Sequence, residues 1–330
     1  MRPLRILTWH VHGSYLYYLC QAPHEFYLPV KPGRPGGYHG RTRSYPWPDN
    51  VHEVPAEQVQ HLDLDVILFQ SRQNYLEDQY EILSAEQRSL PSIYLEHDPP
   101  REHPTDTRHP VDEPGVLLVH VTAFNDLMWD SGRTPTVVIE HGVMVPDDAR
   151  YTGELDRGIV VVNNMRKRGR RLGADIFARA RAQVPLDLVG MGWEEVAGGI
   201  GEVPHHDLPR FTGRYRFFFN PIRYTSLGLA VCEAMMLGMP IIGLATTEMV
   251  MVVENGLSGY LDTDPARLIE RMKELVADPA EARRLGEGAR RYARERFAIE
   301  RFIRDWDDTF TFVAGRRNGV STRQQVANSF

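Results

Sequence analysis

The sequence predicts an α/β protein of two domains, each a mainly parallel sheet covered by helices. Short continuous apolar runs, as expected of strands buried on both faces, alternate with loop or helical stretches of about 20–30 residues, the spacing of βαβ units. The pattern breaks at the polar stretch "PDDARYTGELDR", 146–157, and then restarts. The chain has 330 residues, beyond the roughly 250–300 at which a single core stops growing.

In order, "LRILTWH" reads as a buried first strand, followed by the glycine-containing turn "HVHGS" and an aromatic segment, Tyr15 to Leu19, that opens a helix. Residues 31–48 are rich in Gly and Pro, carry Lys31, Arg34, Arg41 and Arg43, and read as a loop. "LDVILFQ", "SIYLEHD", "GVLLVHVTA" and "TPTVVIEHGV" are further strands, with a helix at "FNDLMWDSG". After the joint, "GIVVVNN" is a strand, "MRKRGRR" a basic turn, and "LGADIFARARAQV" a helix by its periodicity. "LDLVGMG", "RFFFNP" and "MPIIGLA" are strands. Two amphipathic helices each open on Asp-Pro, at Asp264 and Asp278, with Asp as N-cap and Pro at the first helical position. A third, "AIERFIRDWDDTFTFVAG", closes the pattern. The polar tail beyond about Arg316 is expected to fray. The domains are expected at 1–148, joined by about 300–330, and at 149–300.

Composition narrows the function classes. Apolar residues make 42% and charged residues 25% of the chain, ordinary for a globular protein. A net charge of −6 argues against a nucleic-acid partner. Two distant cysteines, Cys20 and Cys232, suit a reducing, cytoplasmic setting rather than a disulfide framework. Trp9, His10 and His12 interrupt the N-terminal apolar portion, so a signal peptide is not expected. No run of about 18 apolar residues predicts a spanning helix, while peripheral membrane contact stays open.

The stretch 216–244 carries the chemistry. It reads strand, polar loop, buried helix, strand: "RFFFNP", "IRYTS", "LGLAVCEAMMLG", "MPIIGLA". The helix is expected to start at Ser226 to Gly228. Its unpaired N–H groups and positive dipole end would hold an anion such as a phosphate. Gly228 lets a ligand approach the backbone, and Ser226 can cap or donate a hydroxyl. Glu233 is expected about two turns inside this apolar helix. A carboxylate there needs partners, and the vicinal hydroxyls of a ribose would supply them.

The run "TSLGLAVCEAMMLGMPIIGLATTEMVMVVENGLSGYL" resembles the nucleotide-sugar motif of the retaining glycosyltransferases of family four, which have the GT-B fold of two Rossmann-like domains facing a cleft. Glu233, Ala234, Met235, Gly238 and Pro240 match the motif, as do Glu248, Asn255, Gly256 and Gly259 downstream. The resemblance implies that Glu233 binds the donor ribose and that the amides of Leu227, Gly228 and Leu229 hold the diphosphate. The family's first acid, which touches the donor hexose, is replaced by Thr225, with Ser226 beside it as a second hydroxyl. The basic turn takes the place of the family's diphosphate-binding cations, with Arg168 foremost, then Arg166 or Arg170, and Arg223 as a further contact. His97, at a strand end, corresponds to the family's histidine near the donor sugar, and Gly13 to its glycine-rich first loop. His141 reads as structural. The last helix is expected to cross back to the first domain.

The implied function is transfer of a sugar from a UDP- or GDP-sugar to a glycan, lipid-linked or small-molecule acceptor, with retention, without metal and without a further cofactor. Arg168 and His97 carry the catalytic roles. A nucleotide- or glycan-binding protein that has lost transfer, motivated by Thr225, and a sugar-nucleotide epimerase are the alternatives. "GMGWEEVAGG" lacks the spacing of a dinucleotide fingerprint. His97, His103 and His109 lie in a Pro-rich stretch without fixed metal geometry, and His205 and His206 are expected to be exposed.

Overall fold

A computed structural model describes residues 2–315. They divide into two compact units: 2–121, 125–139 and 302–315 form one, and 122–124 with 140–301 form the other.

In the first unit, seven parallel strands lie in the order β3-β2-β1-β4-β5-β6-β7. They are β1 (Arg5–Thr8), β2 (Glu25–Val30), β3 (Val51–Pro55), β4 (Val66–Phe69), β5 (Ser92–Glu96), β6 (Val116–His120) and β7 (Thr136–Val138). Helices α1 (Gly13–Leu19), α2 (Gln79–Ile82) and α3 (Ala123–Met128) connect them. Strands β2 and β3 were not expected. Pro29 argues against a central strand, because proline cannot donate to a ladder. Here β2 pairs with β1 only from Glu25 to Tyr27, and Pro29 lies beyond that ladder. The core includes Leu7, Trp9, Ile67, Phe69, Tyr94 and Leu118, with Trp9 stacked on Phe69 at 5.7 Å.

In the second unit, six parallel strands lie in the order β10-β9-β8-β11-β12-β13. They are β8 (Leu155–Val161), β9 (Leu186–Val189), β10 (Gly199–Gly201), β11 (Tyr215–Asn220), β12 (Ile241–Leu244) and β13 (Gly259–Asp262). The helices are α4 (Met165–Arg168), α5 (Ala174–Arg181), α6 (Leu208–Thr212), α7 (Leu229–Leu237), α8 (Met249–Val252), α9 (Pro265–Ala277) and α10 (Pro279–Arg296), and the first residues of α11 (Ile299–Gly315) belong here too. Asp264 caps α9 through the Ala266 N–H at 2.9 Å, and Asp278 caps α10 through the Ala280 and Glu281 N–H groups. Each cap contributes about 1 kcal/mol.

The division falls at Ile139/Glu140 rather than at the expected 148/149. The reason is side-chain and backbone anchoring: Arg296 Nε donates to both Glu140 oxygens, and the Val143 N–H donates to Phe297 O at 3.1 Å. From Phe302 onward α11 groups with the first unit, where Trp306 Nε1–H donates to the Tyr15 hydroxyl at 3.2 Å and Phe302 packs on Tyr15.

Both sheets reverse their strand order once, between β1 and β4 and between β8 and β11. In open α/β sheets, ligands bind beyond the carboxyl ends of the strands at such reversals. The loop after β8 carries the basic turn, and the loop after β11 leads into α7.

Candidate functional site

Helix α7 is positioned from behind. Gly286 and Gly288 sit inside α10, where glycine costs about 1 kcal/mol each relative to alanine. A Cβ on Gly286 would lie 2.0 Å from Gly238 O, at the end of α7, and one on Gly288 1.9 Å from Leu257 O. The two glycines let α10 lie directly against these backbones.

The helix begins later than its sequence suggests. Gly228 is the N-cap, with extended backbone and no side-chain cap, and Leu229 is the first helical residue. Ser226 is buried in the preceding loop, two residues before the N-cap. Glu233 is therefore the fifth helical residue, one turn in rather than two. Leu229 and Glu233 stand at i and i+4, on one face, and helical side chains lean toward the N-terminus. Gly228 and Leu229 are half-exposed, and a Cβ on Gly228 would meet nothing within 4 Å. The opening turn of α7 thus faces free space, with the Leu229 and Ala230 N–H groups ahead of the first bond of the helix, from the Val231 N–H to Gly228 O at 2.9 Å.

The loop before α7 is held by its backbone. His141 Nε2–H donates to Leu227 O at 2.8 Å, and the Arg223 N–H donates to Arg171 O at 2.9 Å. Burial pushes His141 down to about 4, which keeps the imidazole neutral. Gly173, at φ +78°, approaches so closely that its Cβ would lie 2.0 Å from Pro221 O. This contact joins the loop after β8 to the loop after β11. Thr225 is half-exposed, and its hydroxyl makes no hydrogen bond among the described residues.

The predicted cations are not equivalent. Arg223 binds Asp175 through two bonds of 2.6 and 2.7 Å, and Arg170 binds the same carboxylate at 2.7 Å. The hydrogen bond from Arg223 is the main cause that takes Asp175 down to about 2. Arg166 donates to Glu195 O at 3.3 Å. Arg168 is exposed at the end of α4, and among the described residues its side chain makes no ion pair.

Glu233 is 9% exposed. Its Oε1 lies 3.2 Å from His205 Nε2. This corrects the expectation that His205 and His206 are both exposed: only His206 is, beside Asp207. His205 sits on the turn that opens α6, where Pro204 O accepts the Asp207 and Leu208 N–H groups. Nothing in its sequence neighbourhood pointed to a carboxylate 28 residues downstream. Glu248 is buried at the start of α8, accepts the Phe124 N–H at 3.0 Å, and is pushed up by burial.

In the first unit, His97 follows β5, as expected of a strand-end histidine. Its Nε2 lies 3.1 Å from Gln70 Oε1, and Gln70 in turn donates to Thr8 Oγ1 and Trp9 O. The His97 ring packs on His12 at 4.1 Å and on Tyr15 at 4.9 Å. Gly13 opens α1, and a Cβ there would lie 2.8 Å from the Tyr45 ring of the 31–48 loop. His97 and Gly13 therefore both stand at the carboxyl end of this sheet, near its reversal.

Residues 194–292 match the family model described as glycosyl transferases group 1. In overall structure the chain is similar to sucrose-phosphate synthase of Thermosynechococcus elongatus, with a TM-score of 0.67 at 16% identity over 96% of this chain and 100% of that one. The chain has the GT-B fold of glycosyltransferases. HepE of Anabaena in complex with UDP-glucose gives a TM-score of 0.66 at 15% identity, over 94% of this chain and 100% of that one. A curated relative, D-inositol 3-phosphate glycosyltransferase 1 of Catenulispora acidiphila, is 33% identical over 104 residues. That match spans 29% of this chain and a quarter, 25%, of the relative. It is with the GT-B fold in place that the open start of α7 lies inside the matched segment. Among the described residues no helix is long and apolar enough to cross a membrane.

Proposed function

We propose that this chain transfers a sugar from a nucleoside-diphosphate sugar to an acceptor. One observation carries the reading: a helix start open to solvent, with a nearly buried carboxylate on the same face one turn along, inside the segment that matches glycosyl transferases group 1. Four residues of rise place Glu233 roughly 6 Å from Leu229 along the axis, which suits a diphosphate at the helix start and a ribose at the carboxylate. HepE, similar in fold, is a UDP-glucose complex.

In this reading the α7 amides of Gly228 and Leu229 hold the diphosphate, and Arg168 adds the cation. As the glycosidic bond breaks, charge gathers on the departing diphosphate, and these groups stabilise it. They do so without a metal ion. Glu233 binds the ribose. Thr225 and Ser226 offer hydroxyls to the transferred sugar, and His97 keeps the catalytic role that the resemblance assigns to it. Retention, with the departing phosphate receiving the acceptor proton, belongs to the same proposal. The acceptor is a glycan, a lipid-linked sugar or a small molecule.

A panel of UDP, GDP and their sugars, scored by thermal shift and then by mass-spectrometric product search, tests the reading. Glu233→Ala should abolish stabilisation by the nucleoside diphosphate. Unchanged stabilisation overturns the assignment. Thr225, where the family's motif carries an acid, favours one other reading: nucleotide binding without transfer. Binding of a sugar nucleotide with no product across an acceptor panel would support it.

A further inference from the structure

We propose that His205 is a positioning residue for the nucleoside-binding carboxylate and sharpens selection of an intact ribose diol. The proposal rests on the donor reading above and assigns a residue that the group 1 match and the motif leave without a role.

The geometry points to it. Glu233 leaves α7 one turn from the open end and is almost fully withdrawn from water. His205 reaches it from a different segment, with Nε2 at 3.2 Å from Oε1 and the imidazole itself only 17% exposed. The neighbouring His206 remains 59% exposed beside Asp207, so the turn presents one histidine to the carboxylate and the other to solvent. That turn is rigid. Pro204 O accepts two backbone N–H groups at the start of α6, and Arg210 in α6 is tied to Asp148 by bonds of 2.6 and 2.7 Å.

A carboxylate offers about four acceptor positions. With its proton on Nε2, His205 donates to one of them and so helps to set the torsion of the side chain. A ribose presents two hydroxyls at a fixed separation. A carboxylate held in one orientation accepts both, whereas a less restrained one loses more orientational entropy on binding. His205 therefore acts on the nucleotide through Glu233, and its removal should reach the ribose contact and leave the diphosphate contact intact.

The test compares UDP with 2′-deoxy-UDP, and GDP with 2′-deoxy-GDP, by calorimetry on the full chain. The wild type should bind the ribonucleotide roughly 10- to 100-fold more tightly than its deoxy counterpart, the range of one charge-assisted hydrogen bond. His205→Ala should weaken the ribonucleotide and shrink that ratio toward one, with the deoxynucleotide affinity little changed. His205→Gln, which keeps an N–H donor, should restore much of the ratio. A ratio unchanged in His205→Ala, while Glu233→Ala abolishes nucleotide binding, overturns the role of His205 and leaves the donor reading standing. A wild type that binds neither diphosphate overturns both. An unfolded His205→Ala would leave His205→Gln and His205→Phe to decide: a ratio kept in Gln and lost in Phe supports the role, and equal ratios refute it.

Discussion

Gly173→Ala should separate close backbone approach from backbone conformation. Gly173 adopts φ +78°, and a Cβ there would lie 2.0 Å from Pro221 O. Gly256 adopts φ +80°, but a Cβ there would meet nothing within 4 Å. Both substitutions carry the left-handed penalty of about 1–2 kcal/mol. Only Gly173→Ala also forces a carbonyl to retreat by more than 1 Å to reach ordinary contact, since Pro221 O is backbone and cannot rotate away. Overpacking of that kind adds about 1–3 kcal/mol. The expected destabilisation is therefore about 1–2 kcal/mol for Gly256→Ala and about 2–5 kcal/mol for Gly173→Ala. For a unit of this size each kcal/mol lowers Tm by about 2–4 °C. Thermal unfolding of the two variants measures the stability difference, and titration with UDP or GDP measures its reach into the site. Gly173→Ala should weaken the nucleotide, because the displaced loops carry the cations and the α7 start, whereas Gly256→Ala should not. Equal Tm shifts in the two variants would refute the reasoning.

Two further outcomes follow from charge. The folded-state carboxyl of Asp175 lies below its unfolded value of 3.8, at about 2, so its stabilisation is present above pH 4 and fades as pH falls toward 2. Its side chain is 39% exposed, so after solvent screening Asp175→Asn should cost only about 1 kcal/mol at neutral pH. The same variant frees Arg170 and Arg223 and should tighten UDP or GDP binding at low salt; no gain in a binding titration would argue against those arginines facing the diphosphate. His141 is also shifted down, from 6.5 to about 4, here through burial of the charged form. Between those values the unfolded chain binds the extra proton, so stability should fall by about 3 kcal/mol as pH drops from 6.5 to 4. His141→Gln should flatten that part of a pH series of denaturation midpoints; an unchanged slope would mean that the imidazole is not the group responsible.

The sheet interiors were legible because strands buried on both faces have no choice but continuous apolar runs, as in "VILF" and "FFFN". Strand β2 was not, since Pro29 disqualifies it until the short reach of β1 is known. Strand β10, Gly199–Gly201, has two glycines in three residues and carries no pattern at all. The division between units was misplaced because it depends on Glu140 meeting Arg296, 156 residues away. At the site, the open helix and its acid could be read from local pattern, although the exact start could not: the N-cap is Gly228, two residues beyond Ser226. The pairing of Arg170 and Arg223 on Asp175, and of His205 on Glu233, joins different loops and is invisible to spacing.

Thr225 sits in a segment whose course is dictated by others. His141 fixes the carbonyl two residues on, Arg171 fixes the amide two residues back, and Ser226 and Leu227 are buried beside it. The Thr225 side chain itself supports none of this. Such a position can change identity over generations without endangering the fold. On the donor reading proposed above, a substitution there would reach the choice of sugar and spare the scaffold that presents it.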